Sequence, residues 1–421
     1  MGQLRFCMLT TFYPPHNFGG DGIGIQRLAR ALVRRGHHVT VVHDVDAFRV
    51  FHRGPEPAAT AEPEGLEVHR LCGGGGGALG PLLVQQLGRP VLTRARIRGI
   101  LAAGRFDVIN YHNVSLIGGP ALLSEGRGLK LYMAHEHWLV CPTHVLWRHD
   151  REVCTGRQCL RCVLRYRRPP QLWRWTGALE RRLGTVDVFI AMSEFSRAKH
   201  AEFGFPRAME VLPYFLPDPE AETSPTPPSP SPHPRPYFLF VGRLERMKGL
   251  DDVLPVFAAY RDADLLVAGD GTHAPTLRRA AADLPGVRFL GRVSQDELPR
   301  YYTHALALIV PSIGFETFGM VLLEAFRQRT PVIARRAGTF PEIVTQAGSG
   351  VLFDGPEELR MALARVQGDP ALRAQMARDG HAAYLRHWSE RAVVPRYLDI
   401  VRRAAERRGD ARIARAASET A

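Results

Sequence analysis

LRFCMLTTFYPPHNFGGDGIGIQRLARALVRRGHHVTVV, residues 4–42, predicts a strand, a glycine-rich loop, a helix and a second strand in that order. The first strand covers residues 4–9 and runs into the loop at 16–22, behind which apolar residues recur at helical spacing. Gly36 suits the end of that helix, and residues 39–42 form the next strand. Because a connecting helix normally joins parallel strands, this stretch indicates an α/β fold with a parallel sheet.

A proline-rich tract divides the chain into two such α/β units. The tract SPTPPSPSPHPRP at 224–236 cannot continue a helix or a central strand, and the strand–helix pattern restarts behind it. Ligands of such sheets bind at the carboxyl ends of the strands, so we expect two sheets that face each other across a cleft. The predicted division is an N-terminal Rossmann-like domain over 1–215 with an insertion at 141–182, a linker over 216–236, a C-terminal Rossmann-like domain over 237–385, a helix over 386–405 that packs back on the N-terminal domain, and a frayed tail after Arg408.

The composition is that of a globular protein with a strong excess of arginine. The 421 residues are 45% hydrophobic, which is enough for two ordinary cores. No apolar run approaches the ~20 residues of a membrane span, and the N-terminus lacks the features of a secretory signal, so we predict a cytoplasmic protein. The formal net charge of +13 favours an anionic partner, which could be a nucleotide phosphate, an anionic lipid surface or nucleic acid.

Two cations follow the first strand of the second unit. Arg243 and Lys248 lie in GRLERMKG, residues 242–249, directly behind the strand predicted at 237–241. A planar guanidinium and a movable ammonium at the end of a strand suit a pyrophosphate group. The alternative is that they are two unconnected surface cations.

A second element of the same unit is PSIGFETFGMVLLEA, residues 311–325, where a strand runs through a loop into a helix. The amides at 318–320 would be free at that helix N-terminus, which favours a phosphate or a sugar oxygen. Glu316 precedes the helix, and Glu324 lies inside it among apolar residues, where a buried carboxylate needs hydrogen-bond donors. Ribose hydroxyls would supply them; the alternative is a core arginine.

Several short motifs occur in a fixed order along the chain. The second unit has Gly242-Arg243-Leu244 followed by Lys248-Gly249, then Gly269-Asp270-Gly271, then Phe289-Leu290-Gly291-Arg292-Val293, then Glu316, Phe318-Gly319 and Glu324-Ala325, and the first unit has Gly19-Gly20, Leu28-Ala29 and Gly36-His37. This ordered set resembles the family 4 retaining glycosyltransferases of the GT-B fold, over roughly residues 4–405.

The resemblance implies a role for each motif residue. Arg243 and Lys248 would hold the donor diphosphate, Glu324 the ribose hydroxyls, and Glu316 the sugar. His135, behind the strand at 131–134, would face that sugar, which gives a catalytic set of His135, Glu316, Arg243 and Lys248. The implied donor contacts also include Gly19, Gly20, Gly269, Val293, Phe318, Gly319 and Met320.

The resemblance also implies the reaction. A hexose or related sugar would pass from a nucleoside diphosphate sugar to a glycan, a lipid-linked intermediate or a small molecule, in a step such as those of polysaccharide biosynthesis. The anomeric configuration would be retained, and catalysis would need no cofactor. For His135, the residues leave two alternatives open: a satisfied core histidine, or one of a metal pair with His137.

Four cysteines cluster behind His135. Cys141, Cys154, Cys159 and Cys162 fall within 22 residues, and in a cytoplasmic protein such a set binds structural zinc more often than it forms disulfides. An iron–sulfur centre and free thiols are the alternatives. Similar insertions in some family members imply an element that shapes the acceptor side.

The same region is rich in arginine. Residues 148–182 contain ten arginines against three acids, interleaved with Tyr166, Trp173 and Trp175. Basic residues with aromatics suit peripheral contact with an anionic membrane or stacking on nucleic acid. We do not expect nucleic acid, because no nucleic-acid motif accompanies them. A plain solvated face is the third alternative.

Three other functional classes compete with a transferase. A nucleotide-sugar epimerase on the same scaffold would share the nucleotide site but would need no acceptor cleft. A phosphorylase fits less well, since no pyridoxal-binding lysine can be singled out. An inactive subunit would have no chemical reason to keep Arg243, Lys248, Glu316 and Glu324 together.

Overall fold

The computed structural model describes residues 2–52, 54–58, 61–73, 77–218 and 230–421. Its N-terminal strands are β1 Arg5–Leu9, β2 His38–Asp44, β3 Leu66–Leu71, β4 Val108–Tyr111, β5 Leu129–Ala134, β6 Trp147–Arg148, β7 Glu152–Val153, β8 Val188–Ala191 and β9 Met209–Val211. Seven of them form a parallel sheet in the order β3-β2-β1-β4-β5-β8-β9, and β6 and β7 form an antiparallel pair. The strand order reverses between β1 and β4, and α/β sheets bind ligands at such a reversal.

Helices flank this sheet, and α1 shows why they form. Its apolar residues Ile25, Leu28 and Leu32 share one face and are buried in the core, while its other face carries polar residues. The helices of the N-terminal half are α1 Gly20–Arg34, α2 Val45–Phe51, α3 Leu79–Leu87, α4 Arg94–Gly104, α5 Cys159–Arg165, α6 Glu180–Leu183 and α7 Glu194–Glu202, with 3₁₀ turns at Gly119–Ser124 and Leu172–Thr176.

The second half repeats the architecture. Its strands are β10 Tyr237–Val241, β11 Asp264–Ala268, β12 Val287–Gly291, β13 Leu308–Val310, β14 Val332–Arg335 and β15 Val351–Phe353. They form a parallel sheet in the order β12-β11-β10-β13-β14-β15, with the reversal between β10 and β13. Its helices are α8 Leu250–Ala259, α9 Ala274–Ala280, α10 Leu298–His304, α11 Met320–Arg327, α12 Phe340–Ala347, α13 Pro356–Gly368 and α14 Pro370–Ala383, with a 3₁₀ turn at Arg246–Lys248. The predicted α/β fold with two parallel sheets is confirmed.

The proline-rich linker predicted over 216–236 is described only in part. Residues 219–229 lie outside the described residues. Residues 230–236 lead into β10 without forming a helix or a strand, as expected of backbone that lacks amide donors at its prolines.

The C-terminal helices return to the first sheet. A π-helical turn at Tyr384–Trp388 precedes α15 Glu390–Arg407, which contacts α1 and β5, and Asn110 Nδ2 donates to Tyr397 Oη at 3.2 Å. The tail predicted to fray forms α16 Ala411–Thr420 instead. Asp410 caps this helix, and Ile413 and Ala417 are buried where it packs on α15, so small residues at helical spacing were enough to order it.

Candidate active site

The loops at the carboxyl ends of the two sheets meet each other. Thr317 Oγ1, behind β13, donates to the His135 carbonyl oxygen, behind β5, at 2.8 Å. Ser193 Oγ donates back to the Thr317 carbonyl oxygen at 2.7 Å. The Glu342 carboxylate accepts the first amides of α7, from residues 194 and 195, at 3.1 and 3.0 Å. These bonds hold the loops at the carboxyl ends of the two sheets against each other. Polar side chains from both domains line the cleft beside these loops.

The N-termini of α1, in the first domain, and α11, in the second domain, lie close to each other in this cleft. A Cβ placed on Gly20, at the start of α1, would lie 2.2 Å from Met320 Cε, at the start of α11. Gly19 and Gly319 are the residues before these helices, and neither helix has a side-chain cap. The amides of Phe318, Gly319 and Met320 donate to none of the described residues. Free amides at two opposed helix N-termini favour an anion between them.

Lys248 and Glu316 form an ion pair inside the cleft. Lys248 Nζ donates to Glu316 Oε1, and Ser312 Oγ donates to the same oxygen at 3.2 Å. Burial alone would raise the pKa of Glu316, but the charges of Lys248 and Arg243 together hold it below its ordinary value. Glu316 is therefore a carboxylate at neutral pH, and it positions the Lys248 ammonium.

Arg243 is the exposed cation of the site. Its guanidinium forms no salt bridge or hydrogen bond among the residues that the structure describes, while its charge acts on Glu316 and on Asp21 of α1. A free guanidinium near the Lys248–Glu316 ion pair can bind a diphosphate with its planar edge.

Glu324 uses one of its two carboxyl oxygens in a hydrogen bond within the protein. Tyr302 Oη donates to Glu324 Oε2 at 2.9 Å, and no donor among the described residues reaches Oε1. Burial raises the pKa of Glu324, although the charge of Arg27 in α1, the Tyr302 bond and Arg327 oppose that rise. Oε1 can therefore accept a ligand hydroxyl. The arginine pairing that the sequence left as the alternative is not formed among the described residues, since Arg27 acts on Glu324 only through its charge.

His135 is buried, and both its ring nitrogens are engaged within the protein. Its Nδ1 lies 2.5 Å from Tyr214 Oη and its Nε2 lies 2.8 Å from His112 Nδ1. Burial lowers the pKa of His135 to about 3, so the ring is neutral near pH 7. The predicted sugar contact of His135 stays a prediction, and it requires that Tyr214 or His112 give up its bond.

Sequence reasoning missed several groups of this cleft. Asp21 lies in the first turn of α1, and burial, together with the charge of Glu136, raises its pKa. Asn113 opposes that rise in the pKa of Asp21, and the buried Glu136 Oε1 has no partner among the described residues. The signal available was position, because Asp21 and Asn113 follow β1 and β4, the two strands at the reversal.

The remaining predicted donor residues lie on neighbouring loops of the second sheet. Phe318 is buried with its ring edge-on to Tyr214 at 5.7 Å, and Val293 is partly buried behind β12. The Gly269 amide donates to the Gly291 carbonyl oxygen at 2.7 Å, which ties the ends of β11 and β12 together.

Replacing Gly269 by alanine should destabilise the second domain by about 3 kcal/mol or more. Gly269 has a φ of 141°, and a Cβ there would lie 1.9 Å from the Gly242 carbonyl oxygen. Gly291→Ala is the matched control, because its φ of 71° is also left-handed but nothing lies within 4 Å of the added Cβ. We expect the control to cost about 1 kcal/mol. Urea unfolding measures both, and equal losses would contradict the close approach.

The structure gives the predicted zinc site no support. Among the described residues, no three His, Cys, Asp or Glu side chains are placed to hold a metal ion, and the six cysteines are free. Instead Cys141 Sγ lies 3.3 Å from Thr143 Oγ1, and the His149 amide donates to Cys162 Sγ at 3.3 Å. Burial raises the pKa of Cys154, Cys159 and Cys162.

Two family models match most of the chain. Residues 18–216 match the model described as Glycosyltransferase Family 4, and residues 226–382 match the model described as Glycosyl transferases group 1. The first match ends before the proline-rich tract, and the second begins within it.

Curated relatives and solved structures agree with these matches. The chain is 31% identical over 243 residues to the GDP-mannose-dependent monoacylated alpha-(1-6)-phosphatidylinositol monomannoside mannosyltransferase of Corynebacterium glutamicum, covering 52% of this chain and 64% of that protein. It is 37% identical over 190 residues to the D-inositol 3-phosphate glycosyltransferase of Acidothermus cellulolyticus, covering 40% and 42%. The chain thus spans between two fifths and two thirds of the length of these relatives. The structure of HepE from Anabaena in complex with UDP and glucose has the same fold, with a TM-score of 0.68 at 18% identity over 94% of this chain and 99% of that one.

Proposed function

The chain belongs to the family 4 glycosyltransferases and has their GT-B fold, and we propose that it transfers a sugar from a nucleoside diphosphate sugar to an acceptor hydroxyl with retention of configuration. The observation that most supports this proposal is the Lys248–Glu316 pair beside the free Arg243 guanidinium and the opposed N-termini of α1 and α11. Such a concentration of fixed positive charge suits the leaving diphosphate of a group transfer.

The proposed chemistry uses these groups in one step. The acceptor oxygen bonds to the anomeric carbon on the face from which the diphosphate leaves, and the bond from that carbon to the phosphate oxygen breaks. The leaving phosphate oxygen takes the acceptor proton, so no side chain need act as the base. Arg243, Lys248 and the amides at 318–320 stabilise the charge that develops on the phosphate. Glu316 keeps Lys248 in place, and we propose that it also orients the sugar.

We propose that Glu324 binds the donor ribose. Its free oxygen and its fixed partner Tyr302 suit a pair of vicinal hydroxyls. Only the names of similar proteins limit the choice of nucleobase and sugar. One relative is named as GDP-mannose-dependent, and a protein of the same fold was solved with UDP and glucose. The donor proposal is therefore a purine or pyrimidine nucleoside diphosphate hexose.

We propose a polyol phosphate, free or lipid-linked, as the acceptor. The relatives named above act on inositol 3-phosphate and on a phosphatidylinositol mannoside. The carboxylates of Asp21 and Glu136, on the N-terminal side of the cleft, can accept hydrogen bonds from acceptor hydroxyls. The epimerase alternative is not favoured, because the matched relatives are transferases. The cytoplasmic location stays a prediction.

A thermal-shift panel of GDP, UDP and ADP with their mannose and glucose conjugates tests the donor proposal. A ligand present at 100 times its Kd stabilises the folded state by about 2.7 kcal/mol, which moves the unfolding midpoint by several degrees. We expect one base to stand out. If no compound at millimolar concentration shifts the midpoint, the nucleotide site is misassigned.

A further inference from the structure

Exposed apolar side chains are concentrated in the first half of the molecule. Among the described residues, 13 large hydrophobic side chains are exposed, and 12 of them lie between residues 18 and 175. Only Met361 belongs to the second domain. Single exposed apolar residues need no explanation, whereas groups of them beside one another mark interaction surfaces.

The insertion between β5 and α6 holds four of these side chains outward. In α5, Cys162 and Val163 point inward and are buried, whereas Leu160 and Leu164, one helical turn apart, are 48% and 58% exposed. The 3₁₀ turn that follows repeats the pattern.

In that turn, Trp173 is buried and holds its neighbours outward. The Arg174 guanidinium lies 4.6 Å from the Trp173 ring and 5.6 Å from the Trp138 ring, which fixes the turn from inside. Leu172 and Trp175 are consequently 52% and 61% exposed. An exposed tryptophan beside leucines is typical of protein segments that lie in a lipid headgroup region.

The same segment has unbalanced positive charge. Residues 155–179 contain six arginines and no aspartate or glutamate. Arg161, Arg165, Arg167 and Arg168 are exposed and form no salt bridge among the described residues. We define the insertion face as Leu160, Leu164, Leu172 and Trp175 together with these four arginines.

We propose that the insertion face docks on an anionic lipid surface. An anionic bilayer interacts favourably with both parts of the face, because it takes the leucines and Trp175 out of water and attracts each arginine, by about fivefold in affinity per residue. A nucleic acid would gain from the arginines only, and its phosphates would leave the leucines in water. A second copy of the chain would bring like charges together.

The position of the insertion fits this role. None of the described helices combines the length and the apolarity needed to cross a bilayer, so contact through this face would be peripheral. The insertion begins behind His135, and His144 Nδ1 bonds to Glu136 of the cleft at 2.9 Å. The insertion that carries this face therefore also contacts the acceptor half of the cleft. The docking proposal itself does not depend on the proposed transfer.

Vesicle co-sedimentation of the full chain tests the proposal. We expect binding to phosphatidylcholine vesicles that contain one third phosphatidylglycerol, and at least tenfold weaker binding to phosphatidylcholine alone. The variant with Arg161, Arg165, Arg167 and Arg168 changed to glutamine should lose at least tenfold in affinity for the anionic vesicles. Leu160→Ser with Leu164→Ser and Trp175→Ser should lose a similar factor with the arginines intact.

Matched controls come from the second domain. Arg288 and Met361 are exposed there, and Arg288→Gln with Met361→Ser should bind vesicles as the wild type does. The thermal midpoint of each variant and its shift by a nucleoside diphosphate check that the fold is intact. Equal binding to both vesicle types would overturn the proposal. So would unchanged binding of the leucine and tryptophan variant, or displacement from vesicles by a DNA duplex that binds more tightly, which would make this a nucleic-acid surface.

Discussion

Lys248→Ala should lower the turnover number at least a hundredfold. Removal of one positioned donor to a developing negative charge typically costs a factor of 10² to 10³ in kcat, and Lys248 is the ammonium held inside the cleft by Glu316. The change also leaves Glu316 without the neighbour that does most to lower its pKa, so that pKa should rise. Single-turnover rates with a donor identified by thermal shift measure the effect.

Arg246→Ala is the control for this change. Arg246 lies in the same 3₁₀ turn, is exposed and forms no salt bridge among the described residues. It should keep turnover within about twofold, since surface cations outside a site contribute little. If Lys248→Ala is as active as Arg246→Ala, Lys248 is only a surface lysine and the phosphate assignment is wrong.

Glu324→Ala should weaken nucleoside diphosphate binding by about 10- to 100-fold, the range expected for hydrogen bonds to a charged group. The lost bonds are those from Glu324 to the ribose hydroxyls, and the buried Tyr302 hydroxyl loses its acceptor. Turnover at saturating donor should fall much less than affinity, because the ribose is remote from the reacting carbon. Titration calorimetry with the diphosphate of the selected base gives the affinity.

A ligand without ribose hydroxyls separates the two explanations of that loss. The 2′,3′-dideoxy nucleotide should bind the wild type about as weakly as the ordinary nucleotide binds Glu324→Ala, and the variant should not discriminate between the two nucleotides. Should Glu324→Ala still favour the ordinary nucleotide by the wild-type factor, the ribose lies elsewhere and Glu324 serves only its hydrogen bond with Tyr302.

The parts of the site that sequence predicts are those defined by local pattern. Arg243, Lys248 and Glu316 each follow a strand at the reversal of the second sheet, and parallel strands bring their carboxyl ends to one edge. The glycines before α1 and α11 likewise follow from strand–loop–helix order. Both predictions need only the order of the strands and the rule that ligands bind at the carboxyl ends of parallel strands.

The parts that sequence does not predict depend on long-range contacts between side chains. Tyr302 bonds to Glu324 from α10, and the charge of Arg27 acts on Glu324 from the other domain, so neither shares a local pattern with it. The bonds of His135 to His112 and Tyr214 also join distant segments. The structure gives the zinc prediction no support, and spacing along the chain does not determine where four thiols point.

Transfer of label from a nucleoside diphosphate sugar tests the central claim most directly. The donor selected by thermal shift, labelled in its sugar, is incubated with inositol 3-phosphate and with phosphatidylinositol vesicles, and the products are separated and their anomeric configuration is read by NMR. We predict that the label moves to an acceptor with the donor's configuration, that one nucleoside diphosphate is released per sugar transferred, and that Lys248→Ala forms the product at least a hundredfold more slowly. A bound donor that is converted to its epimer without acceptor, or a product of inverted configuration, would contradict the account.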